Sequence, residues 1–242
     1  MTTTALIFAG GTGSRMNSRS KPKQFLDLHG KPIIIHTLEH FEYSQEIDSI
    51  AIVCRENWIN YLKEQLRHNF FEKVRWVVPG GETGQQSIYN GLKVIYDSCD
   101  NPSETIVLIH DGVRPLINQR LISDNIASVR QYGSAITVTK AVETVISTDD
   151  NNEVVDIQNR NYAKIAKAPQ SFYLSDIISV HEKAIQDNNL NTVDSASLMM
   201  HYGCKLHTVD GPIENIKITT PYDYYIFRAI YEARENSQIF GL

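Results

Sequence analysis

Leu6-Ile7-Phe8-Ala9-Gly10-Gly11-Thr12-Gly13-Ser14-Arg15-Met16 is an apolar strand running straight into a glycine turn, with Lys21-Pro22-Lys23-Gln24-Phe25 just behind it. Four cations, Arg15, Arg19, Lys21 and Lys23, fall within nine positions. Glycines let backbone N–H groups approach an anion closely, and the cations offset its charge. The two segments together read as a site for a nucleotide polyphosphate.

Outward from this opening, short apolar runs alternate with helical patterns. Strands are expected at Thr4–Ala9, Ser49–Cys54, Val74–Val78, Thr105–Ile109 and Ala135–Thr139, with extended segments at Lys205–Val209 and Asn215–Ile218. Helices are expected at Pro32–Tyr43, Asn57–His68, Gln85–Tyr96, Leu121–Tyr132, Asp176–Gln186, Ser195–Tyr202 and Tyr222–Glu235. Repeated β-α-β order implies a Rossmann-like, mostly parallel sheet with helices on both faces. Val142–Ala168 breaks the rhythm. It holds β-branched residues and a polar Asp149-Asp150-Asn151-Asn152 turn, so it reads as a protruding antiparallel β-arm or an ordinary surface hairpin. With no repeat or linker, residues 1–242 read as one domain.

The chain has 242 residues, 42% hydrophobic and 21% charged, within the usual range for a globular α/β protein. A net charge of −5 argues against a general nucleic-acid binder. Cys54, Cys99 and Cys204 are odd in number and far apart, without zinc or disulfide spacing. No apolar run has the length of a signal sequence or membrane span, so a cytoplasmic enzyme is expected, acting on neither membrane nor nucleic acid.

Ligands of open α/β sheets bind beyond the carboxyl ends of the strands. Three clusters fall there: the turn at residues 10–13, Gly80-Gly81-Glu82-Thr83-Gly84-Gln85-Gln86-Ser87, and His110-Asp111-Gly112-Val113-Arg114-Pro115. A Gly-Lys-Ser/Thr P-loop ending is absent. The dinucleotide fingerprint lacks its third glycine, where Met16 stands, and the second strand ends in Cys54-Arg55, with Glu56 only next door. Both nucleotide folds are disfavoured.

The motifs Ala9-Gly10-Gly11-Thr12-Gly13-Ser14-Arg15-Met16 and Pro22-Lys23-Gln24-Phe25 resemble the signature of the IspD/TarI-like cytidylyltransferases. The resemblance continues through Gly80-Gly81, Ser87, His110–Pro115, Arg160, Ala168-Pro169-Gln170-Ser171-Phe172 and Asn215-Ile216-Lys217-Ile218-Thr219. It implies the fold of the nucleotide-diphospho-sugar transferases and transfer of cytidylyl from CTP to a polyol phosphate. Ala-Gly-Gly and Gly112-Val113 look more like the ribitol 5-phosphate branch than the 2-C-methyl-D-erythritol 4-phosphate branch of isoprenoid synthesis. The ribitol branch serves teichoic acid or capsule synthesis.

By this resemblance, Phe8, Ala9, Gly10, Gly11, Thr12, Gly13, Gly80, Gly81, Glu82, Ser87, Asp111 and Gly112 surround CTP. Arg15, Lys23, Arg160 and Lys217 are the catalytic cations. Arg114, Thr144, Arg160, Thr192 and Lys217 hold the polyol phosphate. Asp111 meets the ribose or a hydrated Mg²⁺, and magnesium is the implied cofactor. The family arm, here residues 142–168, embraces a second subunit, implying a homodimer with composite sites. Gly84, Ala168 and Val193 stand where the family often has arginine, threonine and threonine. Apart from the resemblance, Lys217 between Ile216 and Ile218 is conspicuous, because an unpaired buried lysine is costly. Competing readings are a nucleotidyltransferase for another nucleotide or a hexose phosphate, and a nucleotide-sensing protein without turnover.

Overall fold

The computed structural model describes residues 1–10 and 21–240. Gly11, Thr12, Gly13 and Arg15, all expected at the nucleotide, lie outside the described residues. In chain order the elements begin with β1 (Thr2–Ala9), β2 (Asp27–Leu28), β3 (Lys31–Pro32), α1 (Ile33–Glu42), β4 (Ser49–Cys54) and α2 (Ile59–His68). They continue with β5 (Val74–Pro79), α3 (Gly84–Asp97), β6 (Thr105–Asp111), α4 (Gln119–Tyr132), β7 (Ser134–Lys140), β8 (Ile146–Thr148) and β9 (Val154–Ile157). Last come β10 (Lys164–Tyr173), α5 (Leu174–Gln186), α6 (Ser195–His201), β11 (Thr208–Asp210) and α7 (Pro221–Phe240).

The main sheet has the order β11-β7-β10-β6-β1-β4-β5. All of its pairings are parallel except the two made by β10, which runs against β6 and β7. Central strands must be apolar on both faces. Accordingly, Ala5 and Ile7 of β1 face a core with Ile34, Leu38, Leu62 and Ile122. Leu6 faces the opposite core with Ile88, Leu92, Ile177 and Leu198. Helices α1, α2 and α4 therefore cover one face, and α3, α5 and α6 the other. Gly91 permits the close approach of α3: a Cβ there would lie 2.3 Å from Leu6 Cδ1 and 2.7 Å from Val53 Cγ2.

Local chemistry sets the helix ends. The Thr83 and Asn118 side chains accept from the N–H groups of Gln86 and Leu121, at 3.1 and 2.9 Å, capping α3 and α4. Gly133, at φ 82°, closes α4 in the left-handed conformation. The β2–β3 turn uses His29 and Gly30, both at positive φ, as a tight primed turn demands.

The predicted arm is corrected at one end. β8 and β9 form a separate antiparallel hairpin, closed by Asp149, whose Oδ1 accepts from the N–H groups of Asn151 and Glu153. Residues 164–168, however, belong to β10 and the main sheet. Lys164, Lys167 and Pro169 disguise this strand, because proline is foreign to an inner ladder. A register shift between Ala166 and Gln170 accommodates it. Two other expectations are also corrected. Lys205–Val209 contributes only the edge of β11, and Asn215–Ile218 is irregular chain, with Ile218 N–H donating to Val113 O at 3.0 Å. The apolar run there buries Ile218 in a small cluster with Val113 and Phe227 rather than in the sheet.

Candidate functional site

The ends of β1, β4 and β5 shape one groove. Ser87 Oγ accepts from Gly81 N–H at 3.0 Å and donates to Thr83 O at 2.8 Å, folding residues 80–87 back onto α3. A Cβ on Gly80 would stand a tight 3.2 Å from that hydroxyl and one on Gly10 an ordinary 3.4 Å, so both loops lie close against Ser87. The groove beside them, of about 330 Å³, is lined by Gly10, Gly80, Gly81 and Glu82. Arg55, Glu56 and Asn57 also line it. Arg55 and Asn57 were not singled out from sequence, where only the exit of the second strand marked the place.

The Pro22-Lys23-Gln24 segment lies beside the same strand end. Gln24, buried, donates from Nε2 to Ala9 O at 2.6 Å. Phe25 stacks on Trp58 with ring centroids 5.0 Å apart. These two anchors fix a short turn at Lys23–Phe25 on which half-buried Lys23 is carried.

The end of β6 builds the second half. Gly112 N–H donates to Phe8 O at 3.1 Å, and a Cβ there would meet Ala9 Cβ at 3.3 Å. Asp111 lies buried between two cations: Arg114 Nε donates to Oδ2 at 2.7 Å, and Lys217 Nζ to Oδ1 at 2.6 Å. Burial alone would raise the Asp111 pKa, but the charges of Lys217 and Arg114 overcome it and hold it down at about 2. The Arg114 guanidinium also donates to Asn215 O at 3.0 Å, tying the irregular segment to the sheet. Lys217 Nζ stands 5.7 Å from the centroid of the Phe8 ring. The suspicion raised by Lys217 is thus answered: its partner is Asp111.

A cavity of about 120 Å³ opens at this cluster, between Phe8, Asp111, Arg114, Lys167, Thr192 and His181. Its wall at residues 189–194 is held by Gln85, which donates to Asn189 O at 2.7 Å and accepts from Thr192 N–H at 2.8 Å. Gln170 donates to Asp194 Oδ2 at 2.9 Å and accepts from Ala196 N–H at 2.8 Å. Thr192, Asp111 and Arg114 are therefore brought together. Thr144 and Arg160 are not: both are exposed beside the hairpin, and the Arg160 guanidinium donates to Val142 O. Lys167, Gln85 and Gln170 line the cavity without having been assigned to it from sequence. Only the Ala168-Pro169-Gln170 motif pointed there.

Among the described residues no cluster of three His, Cys, Asp or Glu side chains could hold a metal. Both Asp111 oxygens already accept from cations, so the donor set does not suit a protein-bound magnesium.

Burial pushes two histidines, His110 and His181, down to about 4. Each is neutral when folded and titrates near 6.5 when unfolded, so the unfolded chain binds more protons between those values. Their contribution is complete above pH 6.5 and is lost as pH falls towards 4, by roughly 3 kcal/mol for each. Urea midpoints measured between pH 7 and 4 should fall steeply, and His181→Phe should flatten that fall. An unchanged slope would contradict the neutral assignment.

A family model described as IspD: 2-C-methyl-D-erythritol 4-phosphate cytidylyltransferase matches residues 3–233. The chain belongs to this cytidylyltransferase family. It is 52% identical to a ribitol-5-phosphate cytidylyltransferase of Vibrio parahaemolyticus over 98% of its length and 99% of the relative's. A protein of the same description from Streptococcus agalactiae serotype III is 49% identical over 98% of both chains. The crystal structure of 4-diphosphocytidyl-2C-methyl-D-erythritol synthase from Anaerococcus prevotii superposes with a TM-score of 0.81 at 30% identity, covering 96% of each chain. The Francisella tularensis 2-C-methyl-D-erythritol 4-phosphate cytidylyltransferase gives 0.77 at 27% identity, covering 94% of this chain and 100% of that one.

Proposed function

We propose that this protein joins CTP to D-ribitol 5-phosphate, forming CDP-ribitol and pyrophosphate. The observation that carries the chemistry is the Arg114–Asp111–Lys217 cluster opening on a cavity beside the glycine-lined groove. The ribitol branch is favoured by full-length relatives at about half identity that bear that description.

A phosphate oxygen of the acceptor attacks the α-phosphorus of CTP, and the bond to the β-phosphate breaks, releasing pyrophosphate. The monoester is largely dianionic at neutral pH, with a second pKa of about 6, so no general base is required. The barrier lies in bringing two anions together, and fixed cations lower it. Gly10, Gly80, Gly81, Glu82 and Ser87 enclose the nucleoside, with Phe8, Ala9 and Gly112 behind it. Arg15 and Lys23 act on the triphosphate. Arg114, Lys217 and Thr192 hold the acceptor. Magnesium brought by the nucleotide would supply further neutralisation of phosphate charge beside Arg114 and Lys217. Among the described residues no helix is long and apolar enough to cross a membrane. The reading places the reaction in the cytoplasm with its nucleotide.

Arg160 and Thr144 stand outside this chain's cavity, which supports a homodimer in which a second subunit's hairpin supplies them. Arg160→Ala should raise the acceptor KM about tenfold with CTP binding unchanged. With the acceptor well below its KM, where both parents are impaired, mixing Arg160→Ala and Lys217→Ala subunits should restore up to about a quarter of wild-type activity, since half the dimers are mixed and each has one intact site. No recovery on mixing would remove the composite site.

The assay is pyrophosphate release with CTP and a panel of ribitol, methylerythritol, xylitol and arabinitol phosphates. Preference for ribitol 5-phosphate is expected. Preference for 2-C-methyl-D-erythritol 4-phosphate would move the protein to the branch its family model is named for. CTP binding without turnover on any acceptor would make it a nucleotide sensor.

A further inference from the structure

Among the described residues lining the cavity, Lys167 is a cation without a carboxylate partner. Arg114 and Lys217 share the carboxylate of Asp111. Lys167 Nζ instead donates only to backbone carbonyls, Asn215 O at 3.0 Å and Ile213 O at 3.3 Å, and forms no ion pair among the described residues. Glu214 draws on its charge, but Glu214 is itself paired with Arg234 at 3.0 Å. The other carboxylate of the cavity, Asp194, accepts from Gln170 and from the Ser197 N–H at the start of α6.

The placement of Lys167 is built. It sits inside the register shift of β10, and such irregularities beside sites re-aim a side chain. Half-burial and the nearby Arg114 both lower its pKa, and an arriving anion would offset both effects. Arg114, Lys217 and Lys167 outnumber the carboxylates Asp111 and Asp194, leaving a net positive charge beside the cavity. That excess suits an anionic phosphate ester.

We propose that Lys167 is a specificity-determining residue that binds the acceptor phosphate alongside Arg114 and Lys217. This rests on the cytidylyl-transfer reading given above. The site then prefers a phosphate ester over a neutral polyol.

The test compares wild type, Lys167→Met and Lys167→Arg in pyrophosphate release, with thermal scans alongside. Lys167→Met should raise the ribitol 5-phosphate KM about tenfold, with the CTP KM within about twofold. Its acceptor KM should also rise less steeply with salt than that of wild type, because one ionic contact is missing. Lys167→Arg should recover most of the loss. An unchanged acceptor KM in Lys167→Met would overturn the proposal. So would equal damage to both substrates with a lowered Tm and no rescue by arginine, which is the behaviour of a strap for residues 213–215. Wild type inactive on every polyol phosphate would instead sink the functional reading. Calorimetric titration of the three proteins with ribitol 5-phosphate would still decide the role of Lys167, because equal binding by wild type and Lys167→Met overturns it.

Discussion

Lys23→Ala is expected to lower kcat by about 10²–10³-fold, equivalent to roughly 3–4 kcal/mol at the transition state. The loss should be almost purely chemical. The turn that carries Lys23 is held by its neighbours: Gln24 on Ala9 O at 2.6 Å, and Phe25 packed against Trp58 and Tyr61 at 5.0 and 5.2 Å. Truncating an intermediate side chain between two anchors should shift Tm by no more than about 2 °C. Pyrophosphate release at saturating substrates and a thermal scan measure the two effects. A kcat within a factor of about three of wild type would remove Lys23 from the transition state.

Asp111→Ala should do the opposite and strike the fold as hard as the chemistry. Asp111 is only 5% exposed, and its two oxygens pair with Arg114 and Lys217. Deleting one member of a buried ionic group strands the others and costs about 3–5 kcal/mol. For a chain of this size that is a fall in Tm of about 6–12 °C or more. Adding Lys217→Met should recover part of the loss by removing one stranded charge, a coupling that a double-mutant cycle reads directly. The pH dependence has a definite sign. The folded pKa, about 2, lies below the ordinary 3.8, so this stabilisation is complete above pH 3.8 and is lost as pH falls through 2. It therefore survives the range in which His110 and His181 weaken the protein. Stability of Asp111→Ala equal to wild type at pH 7 would show that the cluster is held by other means.

The alternation of apolar runs was legible because a buried parallel strand leaves little choice of residue. Ser49–Cys54 and Thr105–Asp111 are nearly uniform in character, and α3 and α4 carry side-chain caps. The glycine loops were legible as well, because a Cβ at Gly80 would crowd Ser87. Three things escaped. β10 carries lysines and a proline that argue against an inner strand, and only its long-range pairing with Ile109 and Ile136 reveals it. Asn215–Ile218 has a strand's composition but forms no ladder: Ile218 N–H donates to Val113 O, and the Asn215 side chain donates to Ala168 O. Lys167 is one basic residue among several near Arg160, and nothing local marks its ammonium as lacking a carboxylate.

The reversed direction of β10 has a geometric corollary. Its neighbours deliver their carboxyl ends to the cavity, whereas β10 presents its beginning there, straight after the β8–β9 hairpin. The hairpin therefore springs from the working edge of the sheet and not from its far side. Whatever grasps its exposed Ile146, Val154, Val155 and Ile157 must stand on the doorstep of the cavity, a few residues of β10 away from Lys167.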